Sequence, residues 1–311
     1  MTGVTARPRL LVSSVVRGAE RNQSHGGLYL VDFDESSSRM LVDWDSVEID
    51  VSGRGGDRGL RGIGIDSGRA QIWVAATDRL LLFDPDLRLI DQFASPFLRH
   101  CHEISIHRDL IHIVSTGFDA VLTFDPAVGR FTRGLHLAAD PGGLRLRTFN
   151  PGVGPGPEPG NRFHINNVAA RDEGLFFSGL RLPALLREHR GVLANAAKLP
   201  PGTHNAQPFG DGVIFNDTAS DRICVGTPHR MMSLEIADAA MRATTGPAID
   251  PVLARPFFAR GLLPLSDRLV VGGASPSTVS LYDLDAAKAV ARIGLSDDVR
   301  NAIHGIALWP F

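Results

Sequence analysis

Apolar residues along this chain come in short runs punctuated by Gly, Pro and Asp, the pattern of many strands joined by tight turns. Leu10–Val16, Leu28–Phe33 and Met40–Trp44 read as the first strands. A group of four follows: Leu60–Ile65, Gln71–Ala76, Arg79–Phe83 and Leu87–Phe93, with Asp84-Pro85-Asp86 placed as a type I turn between the last two. About 40 residues later the order returns. Cys101–Ile106 echoes Arg61–Ile65, Leu110–Ser115 echoes Ile72–Ala76, and Ala120–Pro126 echoes Leu80–Pro85. Further units open at Phe163, Thr203 and Ala259.

The stretch Asn301–Phe311 is apolar, carries one histidine, and has no later strand to pair with. An unpaired hydrophobic edge invites aggregation, so Ile303–Leu308 is expected to pair with Leu10–Val16 and close a ring. Four strands per unit at this period describe a propeller blade. The expected fold is all-β, a six-bladed β-propeller forming one domain over 1–311. A seventh blade between Cys224 and Phe257 lacks the pattern. The rhythm breaks at about 137–162, where Pro151–Pro157 alternates Pro and Gly; a long loop on one face is expected, either a rim or lid element or plain irregular chain. Leu182–Asn195 is the best helix candidate. The Gly-rich Val51–Asp57 is a loop without the βαβ setting of a dinucleotide site.

The 33 Gly and 20 Pro with only 7% aromatics agree with short strands and tight turns. A net charge of -2 implies no polyanion partner, and nucleic acid and membrane are not expected partners. Lys occurs only at Lys198 and Lys288; the many Arg residues fit GC-rich coding better than phosphate binding. Two cysteines, Cys101 and Cys224, make no disulfide framework. Met1–Pro8 has no apolar leader pattern, and no run approaches the roughly 20 residues of a membrane span. A cytoplasmic location is expected.

In a propeller the first strand of each blade lines the axis. Aligning the six first strands puts Arg61, His102, Asn166, His204, Arg260 and His304 at one level. His164 and His100 lie two residues before Asn166 and His102, on the same face. Imidazoles converging from separate elements suit a metal such as Zn, Cu or Fe. The expected ligands are His102, His164, His204 and His304, with His100 in reserve; a metal-free polar pocket is the alternative. Iron or copper is favoured, then zinc. Glu103 would orient a ligand or act as a base, or equally form a salt bridge to Arg61 or Arg260. Arg61 and Arg260 are expected to bind an anionic substrate group, with Asn166 and Asn205 as further substrate contacts. His25, His107, His112, His136, His189 and His229 read as ordinary surface or packed histidines.

The pattern as a whole resembles six-bladed propellers of the regucalcin, gluconolactonase and strictosidine synthase type. The lactonase branch holds a divalent metal with Glu, Asn and Asp; Glu103, Asn166 and Asn205 stand in comparable places, and the added histidines depart from that pattern. His100-Cys101-His102-Glu103, Gly202-Thr203-His204-Asn205 and Asn301–Gly305 look like a bacterial propeller family with no assigned activity, the DUF4915 type. A four-histidine axial site is similar, in chemistry alone, to that of carotenoid oxygenases. The resulting expectation is a metal-dependent enzyme oxidising a small, anionic organic substrate. A non-redox lactonase, lyase or epimerase, and a non-enzymatic propeller binding a partner, are the alternatives; a metal analysis would separate them.

Overall fold

The computed structural model describes residues 7–20, 22–44, 59–227, 229–237, 241–242 and 254–311. The Gly-rich segment Val51–Asp57 lies outside them. Six sheets stand in a ring, and in five of them the strands follow sequence order from the axis outward. Blade one is the seam: Asn301–Leu308 is its inner strand, followed by Arg9–Val16, Gly27–Asp32 and Ser37–Asp43. The chain's two ends pair in antiparallel register from Leu10 opposite Leu308 to Val16 opposite Asn301. The expected closure and blade number are therefore observed.

Each blade is covered by a neighbour on both faces, so its middle strands are largely apolar and buried in runs instead of alternating. In Arg79–Phe83 the residues Leu80, Leu81, Leu82 and Phe83 are all buried. The outer strand Leu89–Ala94 is largely exposed, with Leu89 at 48% and Ile90 at 57%. The core lies between blades. Trp73 and Phe93 of blade two meet Phe124 of blade three at ring separations of 5.5 and 4.5 Å. One turn recurs before the outer strand. In blades one, three and six an aspartate closes the third strand and accepts the next backbone N–H groups: Asp32 from Asp34 and Glu35, Asp125 from Ala127, Asp283 from Asp285 and Ala286. In blade two Asp84 accepts from Arg88. Asp bonds its own turn and so ends a strand.

Two expectations are corrected. The segment Leu182–Asn195 is a hairpin, Ala184–His189 with Val192–Lys198. Arg190 and Gly191 both take positive φ (51° and 84°), the turn that suits a two-residue hairpin; cross-strand pairing and packing outweigh the helix propensity of the leucines. The insertion expected over 137–162 is half strand. Arg130–Asp140 pairs with Gly143–Phe149, giving blade three a fifth strand. The alternation Leu144-Arg145-Leu146-Arg147 is the period-two signal there. Only the Pro/Gly stretch after Phe149 is irregular, and it is anchored: the Asp119 carboxylate accepts the backbone N–H groups of Arg162, Phe163 and Ile165.

Candidate functional site

A β-bulge opens every inner strand at the level of the axial residues. In blade three the register slips between Cys101 and Ile104, in blade four between Ile165 and Asn167, and in blade five between His204 and Gln207. In the seam blade the slip faces His304 and Gly305. In blade two Ala75 receives the N–H of Arg61 and donates to Gly62; Gly273 does the same for Arg260 and Gly261 in blade six. A bulge turns a side chain out of the regular alternation, and here it aims one polar residue per blade toward the axis. The residue after it is often Gly because neighbouring inner strands touch. A Cβ on Gly62 would meet backbone atoms of His102, Glu103 and Ile104 at 2.5–2.6 Å, and one on Gly305 would meet the Arg61 carbonyl at 2.4 Å.

His102, His204 and His304 are buried, and burial is the main cause that holds each imidazole neutral, well below the usual histidine range. The charges of Arg61 and Arg260 push the same way at His102 and His304. The tautomer of His102 follows from its partners. Its Nδ1 lies 2.9 Å from the His100 carbonyl, which only accepts, so Nδ1 carries the proton. Thr116 Oγ1 stands 2.8 Å from the same nitrogen and donates its own hydrogen to the Ile165 carbonyl. The lone pair of neutral His102 is therefore on Nε2. His304 is the same tautomer, fixed from the other nitrogen: Arg260 Nη1 donates to Nε2 over 3.2 Å, so the proton sits on Nδ1. His100 serves the site through its backbone carbonyl.

Glu103 reaches across the channel from blade three to blade five, where Asn205 Nδ2 donates to its carboxylate over 3.0 Å. Asn205 cannot turn over, because its Oδ1 accepts from Asn216 Nδ2 and from the Gly261 N–H. Burial pushes the Glu103 carboxyl up to about 7, while Asn205 and the charge of Arg260 restrain the rise. Asn166 is 1% exposed and donates to the Thr203 carbonyl, tying blade four to blade five. Arg61 is equally buried and spends Nη1 on the Cys101 carbonyl. Arg260 and His164 remain half-exposed, so the cluster opens on the face where the inner strands begin.

The ring centres of His102 and His164 are 5.5 Å apart, and those of His102 and His304 6.1 Å. Imidazoles sharing a tetrahedral ion at roughly 2.0–2.1 Å would have ring centres about 5 Å apart. His204 packs elsewhere, edge-on to Phe258 at 5.9 Å. Among the described residues no group of three or more His, Cys, Asp and Glu side chains is arranged to hold a metal ion.

No family model and no curated protein matches the chain. Solved structures do resemble it in shape. A chain of a nidogen/laminin complex aligns at 10% identity, covering 96% of this chain and 97% of that one, with a TM-score of 0.59. A protein of unknown function from Bacteroides caccae aligns at 11% identity, covering 96% and 98%, with a TM-score of 0.58. At such identities the likeness concerns the fold alone. No helix among the described residues is long and apolar enough to cross a membrane.

Several residues at the site escaped the sequence reading. Thr116 and Asn216 come from second strands and the turns after them, where period and spacing carry no axial signal. Arg17 lies in the connection from Arg9–Val16 to Gly27–Asp32, and Arg255 and Phe258 lie in the segment before the inner strand Leu262–Pro264. The guanidinium carbons of Arg17, Arg255 and Arg260 stand over the Phe258 ring at 4.8, 5.0 and 4.8 Å from its centre.

Proposed function

We propose that the protein is an enzyme that holds a small organic anion at the channel mouth and moves a proton on it. One observation carries the reading: a carboxyl raised to about 7 shares the field of Arg260 with its chain neighbour His102, whose lone pair is on Nε2 because its Nδ1–H is anchored. Paired groups whose environments set opposite protonation states are how an acid and a base work together near neutral pH. His102 Nε2 takes the proton from the carbon next to a substrate carboxylate. Glu103, held by Asn205, delivers a proton to the opposite face or to a leaving group. The reaction class is thus epimerisation or elimination. Arg260, half-exposed and oriented by His304, binds the carboxylate. Arg61 is buried on the Cys101 carbonyl and acts by its charge, keeping His102 and His304 neutral.

The test is hydrogen–deuterium exchange at the α-carbon of a panel of hydroxy and keto carboxylates, read by NMR in D2O. Exchange of one member should be lost in His102→Gln and cut at least tenfold in Glu103→Gln. Exchange that persists unchanged in both variants would refute the reading.

A second reading, a histidine-held divalent metal with iron or copper ahead of zinc, is favoured by one feature. His102 is fixed through Nδ1 on a carbonyl, the usual support of a ligand imidazole, and His164 and His304 lie near it. The ion would supply oxidative chemistry or polarise a carbonyl. His304 would have to exchange its bond from Arg260 for the ion. Elemental analysis of untagged protein after exposure to iron, copper and zinc decides: metal retained by wild type and lost in His102→Ala supports it, and metal-free wild type ends it.

A further inference from the structure

We propose a second binding site, a cleft in the seam between blades six and one that takes a neutral polyhydroxylated molecule of sugar size. The cleft measures about 670 Å³, within the range of small-molecule sites, and no axial residue lines it. Tyr29, Ser38 and Met40 of blade one form one wall. The other wall is the connection from Lys288–Gly294 into the closing strand, with Leu295, Ser296 and Asn301. The site lies apart from the axial cluster, and the acid–base reading neither supports it nor depends on it.

Two buried groups line this space with unmet polar atoms. Asn301 is 5% exposed, and its Oδ1 accepts from Ser277 Oγ of blade six over 2.9 Å. That bond turns Nδ2 the other way, and no described residue accepts from it. Tyr29 is also 5% exposed, and no described residue bonds its hydroxyl. Polar groups buried this far normally have a partner; here the space open to them is the cleft.

Charge narrows the ligand class. Arg300 donates from Nε and Nη2 to the Asp298 carboxylate over 3.1 and 2.8 Å, so the pair is neutral as a unit. Among the described residues no other charged side chain lines the cleft. An ion entering it would lose water without meeting a countercharge. An apolar ligand would leave the Asn301 N–H groups and the Tyr29 hydroxyl dry. A hydroxyl both donates and accepts, so a sugar matches the amide, the phenol and the serines, while Met40 and Leu295 cover its C–H face.

Titration of 15N-labelled protein with glucose, maltose and glucuronate tests this by NMR. Glucose or maltose should shift the Asn301 side-chain amide pair and saturate below about 50 mM. Asn301→Asp keeps the shape and the acceptor for Ser277 but removes both N–H donors, and Tyr29→Phe removes one hydroxyl without loss of packing. Each should weaken the sugar about tenfold, read on the backbone signals of Leu295 and Ser296. His102→Gln should bind the sugar as wild type does. No shift with either neutral sugar overturns the inference, and so does binding that both cleft variants leave intact. Glucuronate held more tightly than glucose would overturn the neutral class, and sugar affinity lost in His102→Gln would move the site to the axial channel and end the proposal.

Discussion

Replacing Glu103 with Gln should stabilise the protein at alkaline pH and change it little at acid pH. The amide keeps the shape and the acceptor oxygen that Asn205 bonds, so the substitution removes chiefly the charge. In the folded protein the carboxyl is raised from 4.5 to about 7. Below pH 4.5 both folded and unfolded chains hold the proton and the residue costs nothing. Between 4.5 and 7 the unfolded chain releases it first, so wild-type stability from this residue falls as pH rises and is fully lost above about 7. At about 1.4 kcal/mol per unit the loss is at most about 3 kcal/mol, and some contact with channel water reduces the working figure to about 2. His102, His204 and His304 act with the opposite sign. Their folded pKa values are depressed, so their contribution is present above the ordinary histidine value of 6.5 and is lost as pH falls below it. They are common to both proteins and cancel in the difference. Urea unfolding in EDTA at pH 5 and pH 8 reads the effect: Gln should exceed Glu by about 2 kcal/mol at pH 8 and by well under half of that at pH 5. An equal difference at both pH values would refute the argument, and so would a Gln variant less stable at pH 8.

Removing Asn301–Phe311 takes away the inner strand of the seam blade together with His304, and no soluble monodisperse protein should be recovered by size-exclusion chromatography. Gly62→Ala places a methyl group against backbone of blade three at 2.5–2.6 Å, where no side chain can move aside. A loss of about 3 kcal/mol is expected in urea unfolding, with Gly143→Ala, which meets nothing within 4 Å but has positive φ, losing only the smaller strain of about 1–2 kcal/mol. Asp119→Ala strips the acceptor from three backbone N–H groups; about 2–4 kcal/mol should be lost, and limited proteolysis should begin between Pro151 and Arg162.

Much of the fold was legible because a blade repeats its own logic. Most middle strands are apolar runs, five of the six units open on an inner strand, and an aspartate marks several of the outer turns, so Leu80–Pro85 and Ala120–Pro126 match position by position. Ile303–Leu308 stands out as an apolar strand beyond the four of blade six, and it completes the blade begun by Arg9–Val16. Leu182–Asn195 misled because its leucines satisfy helical spacing, and the decisive Arg190-Gly191 turn is short. In 137–149 the alternation was present but masked by the Pro/Gly stretch that follows.

Strand periodicity is local and repeats, so the all-β ring of six blades was readable from the chain alone. The same repeat also placed Glu103 and the histidines in one neighbourhood. The pairing among them was decided by tertiary structure alone. Arg260 settles on His304, Glu103 crosses to Asn205, and His204 turns to Phe258, because the bulge in each inner strand sets the side-chain direction and two segments distant in the chain, carrying Arg17 and Phe258, meet beside it. Charge state, tautomer and ligand chemistry depend on those distances of a few ångströms, and spacing along a chain does not encode them.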